Sequence, residues 1–120
     1  MGTSREMSDV DTEAGVALDR AIAETTIKKF NHALAQLDPE SPDYAEASVQ
    51  IQSERQAFQI EECRQRADKY PTDLQIRFEL GQLYFQAGKI TEAIQELQKA
   101  QANPNKRIAA MNYLAQCFAK

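Results

Sequence analysis

Very little in this chain interrupts a helix, and little in it supports catalysis. Only four glycines and four prolines are spread over 120 residues, tryptophan is absent, and the thiols and imidazoles amount to two cysteines and one histidine. No apolar run approaches the roughly 18 residues needed to cross a membrane. The first ten residues lack the apolar segment of a signal peptide. Met1-Gly2 has the start of a myristoylation signal, but Glu6 stands where that signal takes Ser or Thr. These absences predict a cytoplasmic protein. With 42% hydrophobic residues the chain suits one small domain with a modest core. The formal net charge is −4, acids and bases are interspersed, and no basic block stands out as a nucleic-acid footprint.

The reactive residue types are scattered. Cys63 and Cys117 lie far apart, each in a helical pattern, with no C-x-x-C or Cys/His cluster near either. Buried small hydrophobes are the expectation for both, ahead of a disulfide or a reactive thiol. His32 sits alone beside Phe30 and Leu34 as a helix-boundary residue. Glu61-Glu62 and Asp38/Glu40 are carboxylates on polar faces without a partner pattern for acid–base work. Gly81 and Gly88 are too far apart for a phosphate loop and follow no strand. No Cys/His set or oxygen-rich loop offers a metal site. The sequence thus predicts a non-enzymatic protein that needs no cofactor.

What is present is helical periodicity. Residues 1–11 are polar and aperiodic and are expected to be a disordered tail. From about Thr12, Leu18, Ile22, Ile27, Phe30, Leu34 and Leu37 recur at helical steps until Asp38-Pro39 stops them. Ser41-Pro42-Asp43 carries start signals for a second helix. No glycine or proline follows until Pro71, so 42–70 forms either one helix of almost 30 residues or two. Tyr44, Ile51 and Phe58 keep a seven-residue step, the period of a helix packed lengthwise on a neighbour. Beyond Phe58 the apolar face moves to Ile60, Cys63, Ala67 and Tyr70, which marks a bend or a change of partner. Residues 12–70 therefore read as a long helical hairpin, and 71–120 as a separate set of shorter helices.

In that second part Thr72-Asp73-Leu74-Gln75 forms a capping box for a helix over about 73–86, closed at Ala87-Gly88. A second helix runs over about 90–102 to Asn103-Pro104, and a third from near Asn105 to Lys120. Gly81 costs a helix about 1 kcal/mol relative to alanine. A steric reason offsets that cost: without a side chain at Gly81 the next helix approaches closely, and Ala93 offers the matching small surface. Leu114, Ala115 and Phe118 lie 34 residues after Leu80, Gly81 and Tyr84. Ala67 and Pro71 repeat the Ala100/Pro104 spacing 33 residues earlier.

Leu80-Gly81-Gln82-Leu83-Tyr84, Gly88, Ala93, Leu97, Ala100 and Pro104 resemble the tetratricopeptide repeat, whose period is about 34 residues. The likeness is clear over 72–120, degenerate over 41–71 (Arg55 stands where Gly88 would) and absent over 1–40. Arg77 takes the family's tryptophan position and Leu97 that of its usual aromatic. The resemblance implies an all-α chain: a helical hairpin followed by antiparallel helix pairs, a fragment of a right-handed α-solenoid with one full unit and half of another. It implies a protein–protein interaction scaffold, part of a longer repeat protein, that binds a peptide or helix of another protein on a concave face. On that face the outward positions are Gln75, Phe78, Gln82, Phe85, Gln86, Asn112, Gln116 and Lys120. Phe78 and Gln82 occupy places where chaperone-binding members carry cations and amides, which excludes a carboxylate clamp. In the unfinished second unit Met111, Leu114 and Phe118 are expected to lie exposed. That patch makes a structural homo-oligomer, a homodimer through the last helix, the alternative to a client-binding scaffold.

Overall fold

The computed structural model is helical throughout, with α1 (Gly2–Ala35), α2 (Tyr44–Lys69), α3 (Leu74–Gln86), α4 (Ile90–Ala100) and α5 (Arg107–Phe118), and no strand among the described residues. Residues 2–120 are described, with side chains from Thr12 onward; the expected tail over 1–11 is corrected, because α1 already begins at Gly2 rather than near Thr12. The chain divides into two compact units, 1–58 and 59–120. The division falls inside α2, where the apolar face shifts past Phe58.

In the first unit Phe30 and Phe58 bring α1 and α2 together with ring centroids 6.0 Å apart. Arg55 Nη1 donates to Asn31 Oδ1 at 2.7 Å. Between the helices the Glu40 amide donates to Asp38 Oδ1 at 2.9 Å, Ser41 and Asp43 pair through their side chains, and the Tyr44 amide reaches Ser41 O at 3.1 Å. These bonds hold Pro42 and Asp43 in the turn, so α2 starts at Tyr44. It then runs unbroken to Lys69.

The second unit is built on the last turns of α2. Cys63 and Ala67 are buried, the Cys63 thiol donates to Ile76 O at 3.8 Å, and Arg77 Nη2 donates to Ala67 O at 3.3 Å. The shift of the apolar face is therefore a change of partner, from α1 to α3. At the start of α3 Asp73, not Thr72, is the cap. Its Oδ1 accepts from the amides of Gln75 (3.0 Å) and Ile76 (3.2 Å). A carboxylate satisfies two free amides at once and carries the charge that a helix start favours. α3 ends as predicted. Gly88 takes φ 78°, its amide donates to Phe85 O at 3.0 Å, and the Lys89 amide donates to Tyr84 O at 2.8 Å. Asn103 and Lys106 close the α4–α5 turn with bonds to Ala100 O and Asn103 O, both 3.0 Å, which trims α4 and α5 by about two residues at the ends facing Pro104.

The core gathers Ile76, Leu80, Ala93, Leu97, Ala100 and Ala110, all at 1% exposure or less. Gly81 makes the close approach expected of it, but to a different partner. A Cβ on Gly81 would stand 2.7 Å from Leu97 Cγ and 2.8 Å from Leu97 Cδ2. Leucine reaches into the hollow that the glycine leaves, while Ala93, one turn earlier, is buried in the same cluster.

Candidate functional site

α3 and α5 approach each other across an aromatic cluster. Tyr113 meets Phe78 at 5.9 Å and Phe85 at 5.4 Å, both edge-on at 71° and 73°, a favoured arrangement for ring pairs. Gln82 Nε2 donates to the Tyr113 hydroxyl at 3.2 Å. A cation closes each end: Lys106 Nζ lies 5.3 Å from the Phe78 ring centre and Lys120 Nζ 5.5 Å from that of Phe85. Each side chain snorkels over an aromatic face with its charge toward water.

This places the expected concave-face residues. Gln82, Phe85 and Lys120 join the cluster, and Asn112, Gln116 and Gln86 are exposed. Gln75 is half-buried and donates to Glu79 Oε2 at 3.2 Å. Phe78 is a correction. It is only 5% exposed, because Ala110, Leu114 and Cys117 of α5 pack in one core cluster with it. Two members of the site escaped the sequence reading. Tyr113 lies in α5 and Lys106 immediately before it, a stretch that the 34-residue repeat aligns with α3 only at its packing positions.

The expected end patch is also revised. Met111 (53%) and Phe118 (69%) are exposed, but Leu114 (6%) is buried. Leu114 shares a helix face with Ala110 and Cys117, and that face is turned into the core with Leu97 and Ala100. Ile108, 77% exposed and three residues before Met111, completes the apolar row instead. Helical spacing from Met111 and Phe118 alone was enough to find it.

Arg77 does more than cover apolar surface. Its Nη1 lies 3.0 Å from Glu96 Oε2, with the two side chains 14% and 12% exposed, and Lys99 Nζ approaches Glu96 at 3.4 Å. With its bond to Ala67 O, the guanidinium ties α2, α3 and α4 together at one point. Arg66 repeats the device one step earlier, 2.6 Å from Glu62 and 3.5 Å from Glu79.

Cys63 and Cys117 are buried and form no disulfide, and burial pushes the Cys117 thiol upward, with Lys120 opposing, so it stays protonated at neutral pH. The Tyr84 phenol is likewise raised by burial and by the carboxylates of Glu96 and Glu92. Among the described residues no group of three or more His, Cys, Asp or Glu stands close enough to hold a metal, and no helix is long and apolar enough to cross a membrane.

Comparisons agree with this geometry. The family model described as tetratricopeptide repeat matches residues 52–106, from the middle of α2 through α3 and α4. No curated protein and no solved structure matched the chain. Close α3–α4 packing at Gly81, a left-handed glycine turn and the family match point the same way: residues 52–106 are similar to the tetratricopeptide repeat, a family whose members generally mediate protein–protein interactions.

Proposed function

We propose that residues 59–120 act as a binding surface for a segment of another protein, taken up along the α3–α5 side and without chemical conversion. The aromatic cluster of Tyr113, Phe78 and Phe85, flanked by Lys106 and Lys120, carries this reading. Half-buried Phe85 and Tyr113 offer edges to an apolar side chain. Asn112 and Gln116, exposed one turn apart on α5, offer amide donors and acceptors to a peptide backbone. The two ammonium groups favour carboxylates at either end of such a segment. The ligand that fits is an extended or helical peptide with an apolar residue bracketed by acids, presented in a cytoplasmic setting.

Selection of random displayed peptides on the full chain tests this. Enriched peptides are expected to combine an apolar residue with Asp or Glu, and to bind about tenfold more weakly to the Asn112→Ala/Gln116→Ala double variant. Failure to enrich any sequence, or affinities indifferent to both substitutions, overturns the reading.

A further inference from the structure

One face of α1 is open to water from Ala14 to Lys29. Leu18 and Ile22 are 61% and 59% exposed, and Ala14, Ala21 and Thr25 around them are exposed as well. Ala14, Leu18, Ala21 and Thr25 follow steps of four, three and four residues, the seam of a helix that lies lengthwise on another. Val16 and Ala23, on the far side of the helix from that seam, are buried. The charges of α1 are segregated along its length. Residues 6–19 carry five acids (Glu6, Asp9, Asp11, Glu13 and Asp19) and no Lys or Arg, whereas residues 20–35 carry Arg20, Lys28 and Lys29 against Glu24 alone. The helix dipole does not account for this, since its pull is confined to the terminal turns, and Asp11, Glu13 and Asp19 lie well inside α1. Two of these charges continue the open row: Asp11 stands seven residues before Leu18 and Lys29 seven after Ile22, about two helical turns in each case. The row Asp11, Leu18, Ile22, Lys29 is symmetric about residue 20, with an acid at one end and a base at the other.

We propose that this face of α1 pairs with the same face of a second copy of the chain, the two helices running antiparallel about a two-fold axis near residue 20. Leu18 of each copy then lies against Ile22 of the other, and Asp11 of each beside Lys29 of the other. Ala14 and Ala21 let the two backbones come close. Residue 20 is near the middle of α1, Gly2–Ala35, so about 30 residues of each helix overlap, roughly 45 Å at 1.5 Å per residue. A parallel pair is disfavoured, because it sets acid against acid and base against base. A second copy fits this face because it brings apolar residues to the matching register and the opposite charge to both ends. Only two large apolar side chains per helix leave the water, so the dimer is weak and forms at high concentration. In dilute solution the fold of the monomer is indifferent to either side chain, as both are solvated.

Sedimentation equilibrium of the full chain from about 1 μM to about 1 mM is expected to show a reversible monomer–dimer equilibrium. Leu18→Glu and Ile22→Glu are each expected to weaken it about tenfold or more, because each substitution strikes the symmetric interface twice. Lys29→Glu is expected to weaken it about fivefold, and Asp11→Lys in the same chain to restore it, since the exchanged charges attract only when the helices run antiparallel. Phe118→Glu, on the exposed side of α5, is expected to leave it unchanged. Circular dichroism establishes that each variant keeps the helix content of the parent. A chain that stays monomeric throughout, dimerisation indifferent to both Leu18→Glu and Ile22→Glu, or failure of Asp11→Lys to rescue Lys29→Glu overturns the proposal. So does a dimer that Phe118→Glu abolishes, which assigns the contact to α5.

Discussion

The two units of this chain are both helical, yet they are held by different means. In 59–120 short helices meet over small residues: Gly81, Ala93, Ala100 and Ala110 are fully buried or nearly so, and Leu97 is locked against the glycine. In 1–58 the helices are long. Among its described residues only Val16 and Ala23 are buried apolar side chains, while Leu18, Ile22 and Val49 are each about 60% exposed. Helix length and apolar content therefore do not make a core. Small residues at the crossing do, because they let backbones approach closely enough for neighbouring large side chains to lose all contact with water.

The sharpest way to break this comparison is Leu97→Ala. Leu97 is completely buried, and its loss opens a cavity at the α3–α4 contact that is expected to cost about 3 kcal/mol in urea unfolding. Adding Gly81→Ala to that variant is expected to be neutral or stabilising, although Gly81→Ala alone costs about 1–2 kcal/mol against its gain in helix propensity. Additive costs show that the two residues do not share one hollow. Next in size is Glu96→Ala, which leaves the Arg77 guanidinium part-buried with Ala67 O as its remaining partner and costs about 2 kcal/mol. The paired change Arg77→Met/Glu96→Leu is expected to cost less than Glu96→Ala by itself, since no unpaired charge remains. The smallest effect belongs to the other unit. Leu18→Gln is expected to stay within about 0.5 kcal/mol of the parent, and a loss above 1 kcal/mol reveals a hidden apolar contact in 1–58.

Several features were legible because one residue fixes them. Gly88 adopts the only positive φ among the described residues, where a side chain is strained, and so the end of α3 could be placed from its glycine. Pro104 excludes helix at Asn103, so the α4–α5 boundary followed. Gly81 announced a close approach. Other features depended on which neighbour arrived. A carboxylate at Asp73 and a hydroxyl at Thr72 both suit a cap, and only the entry path of the chain chooses between them. Phe78 reads as outward from α3 alone; α5 then covers it. Leu114 reads as part of an open patch for the converse reason, since only tertiary packing sets Leu97 and Ala100 of α4 in one cluster with it. The roles of Tyr113 and Lys106 are not legible in the sequence, because they exist only where α5 and the turn before it meet α3.

Periodicity and punctuation in the amino-acid order settle where helices run, where they turn and that two of them touch, since these are local properties of φ, ψ and a 3.6-residue repeat. Partner choice is not local. That Leu97 rather than Ala93 enters the glycine hollow, that Arg77 reaches Glu96, and that Ile108 stays open while Leu114 is sealed were decided by packing. The rotation of each helix about its own axis is a compromise among all its neighbours at once, and no single helix encodes that compromise.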